Sequence, residues 1–162
     1  MKCPNCGTPG FAGKRQSYQY RESGLDGVTL LNVEVRRCAP CGEEEVVIPG
    51  IDELHRTIAH LLSRKPGRLL GKEIRFLRSY LGRSSKDFAA IIGSAPESLS
   101  RWEHDKAEMP RSAEQLLRVL VFNQKPQEEY PEQLLVPPAR PTPVRAAKMR
   151  VKPGKAQQWV AA

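Results

Sequence analysis

Apolar and polar positions alternate over parts of the first 50 residues. Two strand-like runs, Ser17 to Glu22 and Val28 to Arg37, are joined by a glycine-containing turn over 23–27, and a third short strand is predicted over Glu45 to Ile48. The alternation in the second run is imperfect, because its later valines are out of phase with its first one. This pattern predicts a small β module at the N-terminus.

From residue 51 the apolar positions recur at helical spacing. The segment 51–64 carries five of them on one stripe, and the Lys-Pro-Gly sequence at 65–67 ends that helix. Three further helices are predicted, over 71–82, over 84–92 and from 95 onward. These helices predict an all-α domain after the β module.

The chain beyond Asn123 has a different composition. It holds seven of the 14 prolines and no acidic residue after Glu132, so it cannot bury enough apolar surface to offset the entropy of ordering. We expect it to be disordered. The predicted fold class is α+β, with a β module over 1–50, a linker helix over 51–67, an all-α domain over 68–123 and a disordered, basic, proline-rich tail over 124–162.

The net charge of +8 favours an anionic partner such as nucleic acid. Residues 1–50 contain six basic and six acidic side chains, so the excess lies in the helical domain and the tail. No apolar run approaches the roughly 18 residues of a membrane span, and the N-terminus lacks the apolar core of a signal peptide. We expect a cytoplasmic protein with no membrane partner, in a compartment where disulfides are rare.

Four cysteines form two C-x-x-C-G units, Cys3–Cys6 and Cys38–Cys41. Two such units can supply four thiolates to one tetrahedral Zn²⁺, and the glycine after each pair permits a tight turn around the ion. The alternatives are plain buried cysteines or a redox dithiol, which would normally accompany a βαβ pattern that is absent here. We predict that Cys3, Cys6, Cys38 and Cys41 bind one structural zinc per chain, because four thiolates leave no open position for catalysis.

The two helices on either side of Gly93 have the pattern of a helix-turn-helix. Ala89 is small where the next helix crosses, Gly93 ends the first helix, and Leu99 and Trp102 face inward on the second. We therefore predict that the second of these helices reads DNA, because its remaining positions are small or polar.

The outward positions of that second helix are Glu97, Ser98 and Arg101. In a recognition helix they meet base edges in the major groove, where Arg101 can bind guanine, Ser98 either base type and Glu97 a cytosine amine. The alternative is a solvated helix face. Ser84 and Ser85 start the preceding helix in a sequence that resembles a capping box, and they cap it, contact a phosphate, or do both.

A family resemblance rests on these motifs. The segment KDFAAIIGSAPESLSRWEHDKAEMP resembles the Cro/repressor-type helix-turn-helix, above all in its S-R-W-E ending and the proline turn that follows. Together with CPNC and CAPC, it resembles the MqsA-type antitoxins and related regulators, in which a YgiT-type zinc finger precedes this motif. The resemblance covers about residues 1–123.

The resemblance implies a dimeric repressor that binds a palindromic operator, with Glu97 and Arg101 at the base-contacting positions. In the antitoxins of the family it also implies that the zinc module docks a cognate toxin. Glu97 stands where the best-known pattern has an amide side chain, so we expect a different target sequence.

The charge of the N-terminal module bears on that partner. Four thiolates that hold one Zn²⁺ make the neutral module about two units more negative, which suits a small basic toxin. We expect strand edges near Ser17 to Glu22 or Val28 to Arg37 to accept such a partner by β-augmentation.

We interpret the chain as a sequence-specific DNA-binding transcriptional regulator, a repressor, that contains structural zinc and acts as a homodimer on double-stranded DNA in the bacterial cytoplasm. The alternative is an antitoxin whose zinc module binds a toxin and whose helix-turn-helix autoregulates the operon. A third hypothesis, a zinc-ribbon subunit of a nucleic-acid enzyme, is disfavoured because no catalytic cluster, phosphate loop or nucleophile elbow occurs. No enzymatic activity is expected.

Overall fold

The computed structural model of the chain describes residues 1–124, 145–154 and 159–161. Over these ranges it contains five strands and five helices, which confirms the α+β class. The elements in chain order are β1 (Ala12–Gln19), β2 (Val28–Arg37), β3 (Glu44–Val47), α1 (Ile51–Ser63), α2 (Gly71–Tyr80), α3 (Ser85–Ile91), α4 (Pro96–Glu103), α5 (Arg111–Phe122), β4 (Met149–Pro153) and β5 (Trp159–Ala161).

Strand β2 is the centre of the sheet. It pairs antiparallel with β1 along one edge, and its other edge pairs antiparallel with β3 and parallel with β4. A bulge accounts for the imperfect alternation, because one residue separates Gln16 from Tyr18 whereas two separate their partners Val33 and Leu30, and Asn32 has a positive φ of 56°. The extra residue shifts the side-chain phase and keeps the buried residues of both halves of β2 on one face.

Strand β1 lies earlier in the chain than predicted. It covers Ala12–Gln19 rather than Ser17 to Glu22, and Arg21–Ser23 form a short 3₁₀ turn instead. Seven of the eight β1 residues are exposed, so the strand has no buried alternation to mark it in the sequence. Its order comes from the backbone hydrogen bonds with β2.

The helices form at the predicted places because their apolar stripes are buried. Leu54, Ile58 and Leu62 of α1 are fully buried, and α1 packs against α2 and α5. Arg118 of α5 donates to the carbonyl oxygens of Ser63, Lys65 and Gly67 at 2.7–3.1 Å, which satisfies backbone acceptors at the end of α1. The segment predicted as a linker helix is thus packed into the helical core. Within the described ranges, none of the helices has the length and apolarity that crossing a membrane requires.

The C-terminal segment differs from the predicted disordered tail. Residues Met149–Pro153 and Trp159–Ala161 are strands β4 and β5, which extend the N-terminal sheet. These strands are ordered because the side chains of Met149, Val151 and Trp159 are buried in the core. The free energy gained by burying this apolar surface offsets the entropy lost on ordering the chain. Residues 124, 145–148 and 154 of the predicted tail are also described and belong to no strand. The other residues of the predicted tail lie outside the described residues.

One apolar core joins the sheet to the helices. It extends from Tyr20, Val28 and Leu30 through the α1 and α2 stripes to Leu99 and Trp159. A separate small cluster of Cys3, Phe11 and Cys38 lies beneath the cysteine-bearing end of the sheet. The two regions with candidate functional residues, the four cysteines and the helices on either side of Gly93, are therefore parts of one packed fold.

Candidate metal centre and nucleic-acid interface

The four cysteines occupy two turns of the same construction. In the first, Gly7 N–H donates to the Cys3 carbonyl at 3.0 Å, and in the second Gly42 N–H donates to the Cys38 carbonyl at 2.8 Å. Both glycines have a positive φ, 70° and 74°, a conformation that side chains disfavour. Each turn directs two sulfurs towards the same point.

The sulfur geometry fits a tetrahedral ion. All four Sγ atoms lie within 4.8 Å of one another, with 3.6 Å between Cys3 and Cys41 and 3.5 Å between Cys6 and Cys38. Four sulfurs at about 2.3 Å from one Zn²⁺ would be separated by about 3.8 Å. Cys3 and Cys38 are buried, whereas Cys6 and Cys41 are exposed. The four residues form a tetrathiolate site of the structural zinc type, as predicted.

The contacts within the cluster shift the pKa values of the thiols in opposite directions. The Thr8 hydroxyl, 3.2 Å from the Cys6 sulfur, and the Thr8 backbone lower the pKa of Cys6 to about 6. The Cys41 backbone favours the Cys38 thiolate, but burial and the neighbouring thiols raise the pKa of Cys38 to about 12. Four thiolates cannot share this volume without a positive charge between them. Zinc held by these four thiolates would cross-link the two turns, and the closed thiolate set would leave it no position for a substrate.

Helices α3 and α4 form the predicted helix-turn-helix. Gly93, with φ of 64°, follows α3, and the N–H of Ser94 donates to the Ala89 carbonyl at 2.8 Å, which closes the end of α3 as a glycine-terminated cap does. Ala89 and Leu99 are buried where the two helices pack. Pro96 occupies the first turn of α4, where its missing N–H costs nothing.

The predicted base-contacting residues lie outside the core. Glu97 and Arg101 are exposed on α4 and Ser98 between them is partly exposed. Ser84 is the N-cap of α3: its hydroxyl accepts from the Asp87 N–H at 3.1 Å and donates to the Asp87 carboxylate at 2.6 Å. The Ser84 cap is confirmed, Ser85 is the first residue of α3, and DNA contact by all five residues stays a prediction.

A buried ion pair that sequence reasoning missed supports α4 from below. Glu103 at the end of α4 accepts from Arg78 of α2 at 2.5 and 3.2 Å, and Arg78 also donates to the Arg83 carbonyl at 2.7 Å. Arg78 thus holds both α4 and the loop that leads to Ser84. The sequence did indicate that Glu103 is buried, because it lies four residues after Leu99 and so shares the inward face of the helix.

The start of α2 packs directly on the end of α4. A Cβ atom at Gly71 would lie 2.6 Å from the backbone carbonyls of Trp102 and Glu103, so only glycine fits there without a shift. The Asp105 carboxylate accepts from the Gly71 N–H at 2.7 Å and satisfies a free donor of the helix terminus. These contacts fix α4 in the domain.

Basic residues of α2 and of the loop after it are candidates for contact with DNA phosphates, because their sequence places positive charges next to the helix-turn-helix: Lys72, Arg75 and Arg83. In the structure Lys72 has another partner, since it donates to both Asp26 oxygens at 2.8 Å. This exposed ion pair joins α2 to the turn before β2. Arg75 lies 3.9 Å from Glu103 and remains mostly exposed.

Comparison with known proteins identifies the family. Residues 1–129 match the family described as the antitoxin component of the bacterial toxin-antitoxin system, MqsA. No curated protein and no solved structure gave a significant match to the chain. The match spans both the cysteine turns and the helix-turn-helix, and it ends before β4. The chain belongs to the MqsA antitoxin family.

Proposed function

We propose that this protein is an antitoxin that neutralises a small basic toxin with its zinc module and represses its own operon with α4. The observation that carries the proposal is the joint presence, within one family match, of a tetrathiolate module and a helix-turn-helix with an exposed polar α4 face. From the sequence alone, a stand-alone regulator is the first interpretation and an antitoxin is the alternative. The family match favours the antitoxin.

The repressor half of the proposal is steric. A homodimer places two α4 helices in successive major grooves about 34 Å apart on a palindromic operator. Arg101 reads guanine and Ser98 and Glu97 read neighbouring bases, while Ser84 and Ser85 position α3 on the phosphates. Bound in this way in the bacterial cytoplasm, the dimer covers the promoter, and no catalysis is involved.

The toxin half of the proposal uses the edge of β1. Both edges of β2 are already paired, with β1 on one side and with β3 and β4 on the other, so the expectation of a free edge near Val28 to Arg37 is wrong. The outer edge of β1 is exposed and pairs with no described strand. It suits β-augmentation by a strand of the toxin.

Operator binding is tested with Arg101→Ala. A bidentate guanine contact contributes about 1–3 kcal/mol of discrimination, so the variant should lose that affinity for a selected operator and relax preference at one base position. Lys106→Ala, which removes an exposed charge from the loop after α4, is the control and should weaken all sequences alike. Parent-like affinity of Arg101→Ala at matched salt would show that α4 is not the reader.

Toxin binding is tested by co-expression of the full chain with the open reading frame next to its gene. Expression of that neighbour alone should arrest growth, and co-expression should restore it and yield a stable complex on purification. Arg101→Ala should restore growth as well as the parent does, because it alters only the DNA face. Continued arrest in the presence of the parent chain would contradict the antitoxin proposal and leave the repressor proposal standing.

A further inference from the structure

The C-terminal segment, residues 145–154 and 159–161, lies outside the family match to residues 1–129. It nevertheless forms two strands of the sheet that begins in the zinc module. Val151 is fully buried, and Met149 and Trp159 are 7% and 4% exposed. The segment is therefore an internal part of the fold, although its sequence is basic.

On the side of the sheet, the segment contacts the turn before β2. The N–H of Met149 donates to the Gly27 carbonyl at 2.7 Å, and β4 continues in parallel register along residues 28–30 of β2. A Cβ atom at Gly27 would lie 2.0 Å from the Ala147 carbonyl oxygen. The segment can reach β2 only because residue 27 has no side chain.

On the side of the helices, the same segment contacts α1 and α2. The N–H of Ala147 donates to the buried Glu73 carboxylate at 2.8 Å, and that carboxylate also accepts from Lys65 and from the Leu70 N–H. The Thr57 hydroxyl of α1 donates to the Trp159 carbonyl at 3.1 Å. Glu73 thus joins the C-terminal segment to the start of α2.

The Trp159 side chain lies at the junction between the two parts of the chain. Its indole N–H donates to the Pro49 carbonyl at 2.7 Å, immediately before α1 begins. The Lys72–Asp26 pair links α2 to the turn before β2, but its side chains are 56% and 67% exposed, and exposed pairs contribute little. The Tyr20 hydroxyl, 2.9 Å from His55 of α1, and the shared apolar core also connect the two parts. Among these contacts, those of the C-terminal segment are the ones that bring buried polar groups to Glu73 at the start of α2.

We propose that the C-terminal segment is a coupling element: it joins the zinc module to the DNA-reading helical domain, so that the metal state of the module is transmitted to α2 and through it to α4. The path runs from β2 through Met149 and Ala147 to Glu73 of α2. From α2 it continues through Arg78 to Glu103 at the end of α4. Without the segment, the two parts respond to zinc separately.

The test compares Gly27→Ala with Gly13→Ala in the full chain. The new methyl at 27 meets a backbone carbonyl, whereas the new methyl at 13 meets only the Glu34 side chain, which can move. Neither glycine has a positive φ, so backbone strain is not a difference between them. In hydrogen-exchange mass spectrometry, Gly27→Ala should speed exchange of the β4 amides by about tenfold or more, and Gly13→Ala should leave it near the parent rate.

Coupling is then read by adding a zinc chelator to each protein. In the parent and in Gly13→Ala, chelation should speed exchange in residues 1–50 and also in α2. In Gly27→Ala, and in a chain ending at residue 144, the change should be confined to residues 1–50. Gly27→Ala introduced into the shortened chain should have no additional effect, because the segment it displaces is absent.

Two results would overturn the proposal. If chelation leaves α2 exchange in the parent unaltered, the parts are not coupled. If α2 responds equally in the parent and in the chain ending at residue 144, the coupling does not pass through the segment. Neither readout uses DNA or a toxin, so the result is independent of the proposed function.

Discussion

Glu103 and Arg78 form a buried ion pair between the end of α4 and α2. Their side chains are 4% and 10% exposed, and both guanidinium branches that face Glu103 are used. Removal of one partner from a buried pair leaves an uncompensated charge, whereas replacement of both by apolar groups is often tolerated. The effect of replacing Arg78 should therefore depend on which residue occupies position 103, and the reverse should also hold.

Replacement of Arg78 by Met should reveal that coupling. We expect Arg78→Met to lower the free energy of unfolding by about 3 kcal/mol or more, because Glu103 then lacks its buried partner and only Arg75 remains at 3.9 Å. The double variant Arg78→Met/Glu103→Leu should regain most of the loss. Urea unfolding curves measure all three proteins; additive losses in the double variant would contradict the coupling.

His55 is a titratable residue at the junction of the sheet and the helices. Its Nε2 lies 2.9 Å from the Tyr20 hydroxyl, and its ring meets Phe76 edge to face. Burial lowers the pKa of His55 below its ordinary value of 6.5, against an opposing effect of Asp52. The folded state therefore favours the neutral ring.

This shift predicts a loss of stability in acid. A group with a lowered folded pKa contributes stability above its unfolded pKa, and the contribution is lost as the pH falls from about 6.5 through the folded value. The parent should thus lose stability faster than His55→Gln between pH 7.5 and 5. Comparison of the two unfolding curves cancels the pH dependence of the thiolates and of the other histidines. Parallel curves would show that His55 does not titrate differently in the folded state.

At the level of the element, the turn between α3 and α4 depends on one backbone conformation. Gly93 has φ of 64°, and a Cβ atom there would meet nothing within 4 Å. The position is restricted only by the backbone, because L-residues with side chains disfavour this region and Asn tolerates it best.

We therefore expect Gly93→Ala to lower the free energy of unfolding by about 1 kcal/mol, and Gly93→Asn to lower it by less. Gly93 N–H donates to the Ala90 carbonyl at 3.2 Å, a bond that both variants retain. Thermal unfolding of the three proteins gives the order. If both variants lost the same free energy of unfolding, the backbone conformation would not be the cause, and a steric clash that the structure does not show would have to be present.

The level of the element also explains which strands could be predicted. β2 was found with its observed bounds because Val28, Leu30, Val33 and Val35 are buried and apolar. β1 was misplaced because its side chains are exposed, and β3 was placed one residue late. Strands that are held by backbone pairing, with little burial, carry weak signals in their own sequence.

At the level of the whole molecule, β4 changes the distribution of charge. Arg150 and Lys152 are exposed on one face of the strand, while Met149 and Val151 are buried on the other. Arg145 and Lys148 precede them, and the segment 145–154 contains no acidic residue. A module that is neutral over residues 1–50 thereby gains a basic surface.

If this surface lies along the phosphates of the operator, its charges should affect the salt dependence of binding. The variant Arg150→Gln/Lys152→Gln should make the slope of log affinity against log salt shallower by up to about 0.9 per lost contact. Lys2→Gln/Lys14→Gln removes the same charge from exposed positions of the zinc module and should leave the slope unchanged. If the first variant and the parent had identical slopes, Arg150 and Lys152 would not contact the phosphates and would face solvent in the complex.

The sequence by itself determined the cysteine set, the helices and the helix-turn-helix, because each depends on residues that are close together in the chain. Two cysteines separated by two residues already define half a metal site, and Ala89, Gly93 and Leu99 already define a turn between helices. Only the tertiary structure decided that β4 joins β2 and that Glu73 accepts from Ala147, 74 residues away. Such a pairing depends on surface that distant elements supply after they have packed, and a five-residue strand among prolines does not carry that information locally.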